Sequence, residues 1–258
     1  MIPFLEFLEG FWMPMLVSAV IAYLLGSVNF AIIVTKCRSH ADIRDFGSGN
    51  AGATNVLRSQ GKTAAALTTL GDLGKSMLAV WIGGWLVVNM CPDAFSHLSY
   101  EVQTIMMSAK EAVAYQQELQ NHIKLIGNYV AGLFCILGHL YPLYFGFRGG
   151  KGVMTTLGMM LILDWRVALI SLSAFIVVVA IWKMVSLGSI CAGIVLIITT
   201  YLFRAFVDQM PDSVTNMCTT MAVLIVGLLI IKHIPNIKRI LNGTESKIGS
   251  SKQDTPKA

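Results

Sequence analysis

The sequence predicts an all-α, polytopic bundle of seven membrane helices, one of them short. Three observations carry that prediction. The 258-residue chain is 55% hydrophobic and only 13% charged, about half the charged fraction of a soluble domain. Its mean hydropathy is +0.67. Apolar runs recur along the chain at lengths close to the roughly 20 residues a helix needs to cross a bilayer core. No polar stretch is long enough to build a core of its own. Residues 1–248 therefore read as one integral-membrane domain, followed by a disordered Ser/Lys/Pro-rich tail, 249–258.

The first span is residues 12–36. Glu6 and Glu9 precede it where a cleavable signal would be basic, so it reads as a retained helix. Gly26-Ser-Val-Asn29 interrupts it with two hydrogen-bonding side chains; such small polar clusters let helices approach closely or serve function. The second span, 63–90, contains Asp72 and Lys75, three apart on one helix face. Buried charges of this kind are functional suspects or structural clamps. Residues 91–124, rich in helix formers and mixed charge, read as an external helical insert. The third span is 125–147. A short fourth, 152–163, ends in an Asp164-Trp-Arg166 turn; short helices are tolerated where they line a protected cavity. Spans 166–184, 187–206 and 214–233 complete the seven.

Lys and Arg set the orientation. With seven spans, Lys36, Arg38, Arg44, Arg58, Lys62, Arg148, Lys151, Lys183, Lys232, Lys238 and Arg239 all fall on one side. The other side has Lys110, Lys124, Arg166 and Arg204, diluted by seven acidic residues. This places the N-terminus outside and the C-terminus in the cytoplasm; a six-span count would split the basic clusters. The five cysteines, Cys37, Cys91, Cys135, Cys191 and Cys218, form no C-x-x-C pair, so neither a disulfide framework nor a metal site is expected. No motif calls for a metal, nucleotide or organic cofactor, and no nucleic-acid partner is expected.

Three polar islands interrupt this apolar background. The first is Gly47-Ser-Gly-Asn-Ala-Gly-Ala-Thr-Asn-Val-Leu-Arg58, preceded by Asp42-Ile-Arg44. The second is Gly138-His-Leu-Tyr-Pro142 followed by Phe147-Arg-Gly-Gly-Lys-Gly152. Glycines let backbone N–H groups converge on an anion, and Arg, Lys, Ser, Thr and Asn add charge and donors, so both loops read as phosphate holders. Lys151 suits a point-charge contact and Arg148 a forked one. The run is not a nucleotide-binding P-loop: the glycine spacing fails at Phe145, and Gly152 replaces the magnesium-binding Ser or Thr. A lone helical His such as His139 is usually packed and hydrogen-bonded. The third island is His233-Ile-Pro-Asn236-Ile-Lys-Arg239 with Gly243-Thr-Glu245. Lipid anchoring accounts for Lys238 and Arg239, but not for His233, Asn236 or Glu245.

Together, Ser27, Asp42-Ile-Arg-x-x-Gly-Ser-Gly-Asn-x-Gly-Ala-Thr-Asn-x-x-Arg58, Asp72, Gly-His139-x-x-Pro, Arg-Gly-Gly-Lys-Gly-Val153, His-x-x-Asn236-Ile-Lys-Arg239 and Gly-Thr-Glu245 run in order from about residue 20 to 248. In that set the chain resembles the bacterial acyl-phosphate:glycerol-3-phosphate acyltransferases. The chain departs from the family pattern at Asn29, where proline is frequent, at Ser76 after Lys75, where glycine is usual, and at Ile234, where arginine is usual; its insert is also longer. The resemblance implies a seven-span enzyme of the bacterial inner membrane, working on the cytoplasmic side. It would acylate position 1 of sn-glycerol 3-phosphate from a fatty acyl-phosphate, giving lysophosphatidic acid and inorganic phosphate without a covalent acyl-enzyme. Its partners would be these two substrates and membrane lipid.

On that resemblance the expected roles are these. Gly47, Ser48, Gly49, Asn50, Thr54, Asn55 and Arg58 bind acyl-phosphate, supported by Ser27 and Arg44. Arg148, Gly149, Gly150, Lys151 and Gly152 bind glycerol 3-phosphate, and the two loops could exchange roles. His233 and Asn236 orient the glycerol hydroxyl, whose proton passes to His233 or to a substrate phosphate oxygen. Ser27, Arg44, Lys151, His233 and Asn236 form the catalytic set, and Asp72, Lys75 and Glu245 are structural. Two other readings compete. A His40-x₄-Asp45 pair mimics the base dyad of another acyltransferase class, and an organic-phosphate transporter would suit the charged loops and the intramembrane pair.

Overall fold

The computed structural model describes residues 4–90 and 109–249. Every regular element among them is helical. The order is α1 (Phe4–Ser27), α2 (Phe30–Ser39), α3 (Ala53–Gln60), α4 (Lys62–Asn89), α5 (Ala109–Leu140), α6 (Val153–Leu163), α7 (Trp165–Trp182), α8 (Val185–Leu202) and α9 (Asp212–Leu241). Five segments are long and apolar enough to cross a membrane: Phe11–Ser39, Val113–Phe145, Trp165–Trp182, Val185–Val207 and Asp212–Leu241. The 28-residue α4 is not among them; Asp72 and Lys75 sit in its middle. Helix α6 has only 11 residues. Large apolar side chains face outward along several helices, with Trp81 60% and Ile181 62% exposed, a surface that suits lipid rather than water.

The interruption expected in the first span is a true break. Asn29 adopts an extended conformation between α1 and α2, and its Oδ1 accepts from the Ile32 N–H at 3.1 Å, capping α2. A proline here would lack that cap. Gly26 and Gly138 form the crossing of α1 and α5: a Cβ on Gly26 would lie 2.1 Å from the Cys135 carbonyl oxygen, and one on Gly138 2.3 Å from that of Tyr23. Only glycine permits this backbone approach. Ser27, expected in catalysis, lies inside the packing. It is fully buried; its hydroxyl donates to the Tyr23 carbonyl at 2.8 Å and accepts the Leu143 N–H at 3.2 Å.

Of the expected external insert, 91–108 lie outside the described residues, and 109–124 are the opening turns of the 32-residue α5, continuous with the third span. The tail from 250 onward also lies outside them. A core of Val80, Tyr129, Ile136, Met159, Leu196 and Ile225, among others, joins α4, α5, α6, α8 and α9. At the end of α6 away from its glycine start, Asp164 pairs with Arg166 at 2.8 Å and Arg204 at 3.5 Å. Asp208 pairs with the same two arginines at 2.8 and 3.0 Å.

The α1–α5 crossing is testable by substitution. Gly26→Val, which drives a side chain into the Cys135 carbonyl, should cost at least the ~1–3 kcal/mol of an overpacked core. Gly74→Ala, where nothing lies within 4 Å of the added carbon, should leave the melting temperature in detergent unchanged or raised. Equal melting temperatures for the two variants would remove the crossing from the account.

Candidate active site

The three polar islands meet in a single cavity of about 610 Å³. Gly47, Ser48, Asn50, Thr54, Asn55 and Arg58 come from the first island, Lys151 and Gly152 from the second, and His233, Asn236, Arg239 and Glu245 from the third. Asp72 and His139 also line it, and Leu57, Ala65, Met154, Phe175 and Val185 supply an apolar wall. One hollow thus presents anion-holding groups on one side and hydrocarbon on the other.

The glycines act in two different ways. Helices α3 and α6 both begin at a glycine, Gly52 and Gly152, and neither has a side-chain cap. Their first residues, Ala53 and Thr54 in one and Val153 and Met154 in the other, line the cavity. Two sets of uncapped N–H groups and two positive helix ends therefore face the same space. An anion gains about 0.3–1 kcal/mol from each such end, and up to ~2 where partly buried.

Gly149 and Gly150 do something else. Their N–H groups donate to the carbonyls of Leu140 at 3.3 Å and His139 at 3.1 Å. The chain re-enters along the last turn of α5 and satisfies carbonyls that a helix end leaves orphaned. A Cβ on Gly149 would lie 2.0 Å from the His139 carbonyl oxygen, and one on Gly150 2.2 Å from the His139 ring. These two glycines, expected to bind phosphate, are needed for close approach, and their N–H groups are already paired.

Other expected site residues are set apart. Arg44, Gly49, Arg148 and Gly149 line a second, polar pocket with Asp42 and Asp45. Arg44 is a tie between the loops: it grips Asp42 through two nitrogens at 3.0 and 2.7 Å and donates to the carbonyls of Phe145 and Arg148 at 2.7 and 3.2 Å. Its guanidinium, expected to support catalysis, is engaged by these partners. Asn55 is likewise a scaffold. Its Nδ2 donates to the carbonyls of Ile43, Phe46 and Asn50 at 3.0–3.1 Å, and its Oδ1 accepts from the Ser48 N–H at 3.3 Å. His40 caps α2 in the left-handed region and lies outside the cavity lining.

Lys151, Asn236, Ser186, Glu245 and Arg239 form a connected network. Lys151 Nζ donates to Asn236 Oδ1. Asn236 Nδ2 donates to Ser186 Oγ and to Glu245 Oε1, both at 2.7 Å. Ser186 also donates to Glu245, and Arg239 Nε donates to Glu245 Oε2 at 2.7 Å. Burial pushes the Glu245 carboxyl up, but hydrogen bonds from Ser186, Asn236 and Arg239 outweigh it and hold the group below its ordinary value. Burial pushes the Lys151 ammonium down to about 8, opposed by Glu245 and aided by Arg239 and Arg58. His233 is buried, and its Nδ1 lies 2.8 Å from the Leu229 carbonyl. A carbonyl can only accept, so Nδ1 carries the proton and Nε2 keeps a lone pair. Ser186 was missed in sequence because one serine in an apolar run carries no signal. Its spacing from Ser189, three residues on at the start of α8, was the available clue. Among the described residues no cluster of His, Cys, Asp or Glu could hold a metal ion.

The family model described as glycerol-3-phosphate acyltransferase matches residues 16–243. A glycerol-3-phosphate acyltransferase of Clostridioides difficile (strain 630) is 38% identical over 238 residues, 92% of this chain and 97% of that protein. One of Coxiella burnetii (strain CbuG_Q212) is 35% identical over 237 residues, 92% of this chain and 99% of that protein. Among solved structures, PlsY (YgiH), an integral membrane glycerol 3-phosphate acyltransferase, is similar in its glycerol 3-phosphate form. Its TM-score is 0.65 at 32% identity, covering 92% of this chain and 96% of that one. Its lysophosphatidic acid form gives a TM-score of 0.63.

The lowered Lys151 value sets a pH dependence for anion binding. Sulfate keeps its charge through this range, so its affinity should fall as pH rises through about 8 and Lys151 loses its proton. Calorimetric titration between pH 6 and 10 reads this directly. Lys151→Arg, which stays charged, should abolish the step, and an unchanged step in that variant would assign it to another group.

Proposed function

The chain belongs to the glycerol-3-phosphate acyltransferase family, and on that footing we propose that it moves the acyl chain of a fatty acyl-phosphate onto the 1-hydroxyl of sn-glycerol 3-phosphate. The products are lysophosphatidic acid and inorganic phosphate, in phospholipid synthesis. The observation that carries this reading is the convergence of two uncapped helix starts, Lys151 and Arg58 on one cavity that also has an apolar wall. Two phosphate-bearing reactants, one with a long hydrocarbon tail, need such a space. The organic-phosphate transporter is not retained, because the family and the named relatives are acyltransferases.

An acyl-phosphate is a mixed anhydride, and phosphate is a good leaving group. No covalent enzyme intermediate is required. The glycerol oxygen adds to the acyl carbon, the carbon–oxygen bond to phosphorus's oxygen breaks, and the hydroxyl proton ends on the released phosphate. Catalysis comes from holding both reactants in register, worth on the order of 7–11 kcal/mol, and from donors aimed at the developing oxyanion. The first island with the start of α3 takes the acyl-phosphate. Lys151, Gly152 and the start of α6 take glycerol 3-phosphate. His233 Nε2 accepts the hydroxyl hydrogen bond and relays the proton, while Asn236, three residues on along the same helix face, positions Lys151.

The protein crosses a bacterial inner membrane seven times, with α1/α2, α4, α5, α6, α7, α8 and α9 as the spans. The N-terminus lies outside and the cavity opens to the cytoplasm. Residues 1–248 form the enzymatic domain. The one-sided distribution of Lys and Arg supports this orientation, as does the meeting of the three polar islands in one cavity.

The test is turnover by purified protein in detergent. Palmitoyl-phosphate should release inorganic phosphate only when glycerol 3-phosphate is present, in equal amount with lysophosphatidic acid; binding without turnover would overturn the reading. Lys151→Ala should raise KM for glycerol 3-phosphate about tenfold or more and leave KM for palmitoyl-phosphate nearly unchanged. The opposite pattern would exchange the roles of the two loops.

A further inference from the structure

Resting on the acyltransferase reading above, we propose that Lys75 is a positioning residue for the anion site: it locks His139 in the tautomer that presents Nε2–H beside Gly150. Lys75 is 6% exposed within α4. Its Nζ lies 2.6 Å from the Val28 carbonyl oxygen, 2.8 Å from Asp72 Oδ1 and 2.9 Å from His139 Nδ1. The Val28 and His139 contacts are hydrogen bonds, and the Asp72 contact is an ion pair. An ammonium has no lone pair, so Nδ1 must accept. The ring proton is therefore on Nε2. Asp72 Oδ1 is 3.5 Å from the same Nδ1, long for a hydrogen bond, and is paired more closely with Lys75.

Nε2 is the ring nitrogen that faces Gly150: a Cβ there would come within 2.2 Å of it. His139 lines the cavity together with Lys151 and Asp72, and no protein acceptor for Nε2 is found among the described residues. The carbonyl of the same residue accepts the Gly150 N–H at 3.1 Å. His139 thus holds the re-entrant loop by its backbone and offers that loop's ligand a donor from its ring. The ligand class is a phosphate monoester oxygen, and glycerol 3-phosphate is the reactant assigned to this loop. Lys75 does not line the cavity and acts through His139. It also joins the α1–α2 break, where it bonds the Val28 carbonyl, to the same loop.

A purely structural ion pair and a tautomer lock make different predictions. Removing both charges together, as D72N/K75M, avoids leaving one charge buried alone. If the lock is real, this variant raises KM for glycerol 3-phosphate about tenfold while kcat stays within about threefold. His139→Leu should do the same, and His139→Gln, whose side-chain amide can donate near the former Nε2–H, should recover most of the loss. Adding His139→Leu to D72N/K75M should raise KM no further, because both changes remove one effect. Unchanged KM in D72N/K75M, or equal damage from His139→Gln and His139→Leu, overturns the proposal. Nitrogen NMR of histidine-labelled wild-type protein, with the His139 signals identified from His139→Gln, gives a reading that does not depend on the charge variants folding. An Nε2–H tautomer supports the lock and an Nδ1–H tautomer overturns it. Wild-type turnover tests the acyltransferase reading alone, and the spectrum tests the tautomer alone.

Discussion

The site depends on the return of the chain along the last turn of α5. Most helices end with carbonyls facing water or a cap. Here the donors are the chain's own next segment. Gly149 and Gly150 bond back onto Leu140 and His139, Tyr23 Oη donates to the Tyr141 carbonyl, and Lys232 sits over the Tyr141 ring while reaching the Leu140 carbonyl. This gives carbonyls of the helix end protein donors, and it carries Lys151 back from the exposed loop tip into the bundle. The exposed side chains at Tyr141, Leu143, Tyr144 and Phe147 mark where that tip meets the membrane boundary. Without the return, Lys151 would sit outside with them, and its network with Asn236 and Glu245 could not form.

The helix that follows is held at both ends. Its start is fixed by the re-entrant glycines. Its far end is fixed by Asp164, which caps α7 through the Arg166 N–H at 3.1 Å and shares two arginines with Asp208. A lone charge inside a membrane bundle is costly, and breaking a buried pair by removing one partner costs about 3–5 kcal/mol. In the two ion clusters, one at Asp72–Lys75 and one at Asp164–Arg204, each carboxylate faces an opposite charge. They differ in location: the first borders the cavity, whereas the second lies at the other end of α6. Mixed charge is therefore used twice, once beside chemistry and once to set the register of a short helix.

Much of this was legible in the sequence. Hydropathy located the apolar segments, and the Gly26–Asn29 interruption coincides with an observed helix break at Asn29. The three islands could be named from residue type alone, because glycine, Asn and Lys in an apolar chain need a reason. What those residues do individually was less accessible. Arg44, Asn55, Gly149 and Gly150 are the types that bind phosphate, yet each is committed to other parts of the protein. Residue type states what a group can bond, and only the fold states whether that bond is already taken. Ser27 shows the same limit, since its hydroxyl has both partners inside the packing. Ser186 shows the converse, a residue without motif context that the fold brings into the central network.

The length of α6 bears on how a lipid-soluble donor meets a water-soluble acceptor. Eleven residues of helix rise about 16 Å, roughly half of a ~30 Å hydrocarbon core. In the proposed topology Asp164 and its arginines lie toward the outer side, and Gly152 and Lys151 lie inward of the loop tip, beneath the cytoplasmic boundary. The cavity is then a shaft open to water at one end and flanked by lipid. In the proposed assignment an acyl-phosphate keeps its tail among hydrocarbon, past Leu57, Met154 and Phe175, while its phosphate reaches the start of α3. In the same proposed assignment glycerol 3-phosphate descends from water to the start of α6. A full-length helix in this position would lift the anion site to the membrane surface, where the acyl carbon would have to leave the hydrocarbon to be attacked. The short span removes that cost, and the drier surroundings strengthen every contact to the phosphates. The same burial that lowers the affinity of Lys151 for its proton thus places its charge where two anions must be held together.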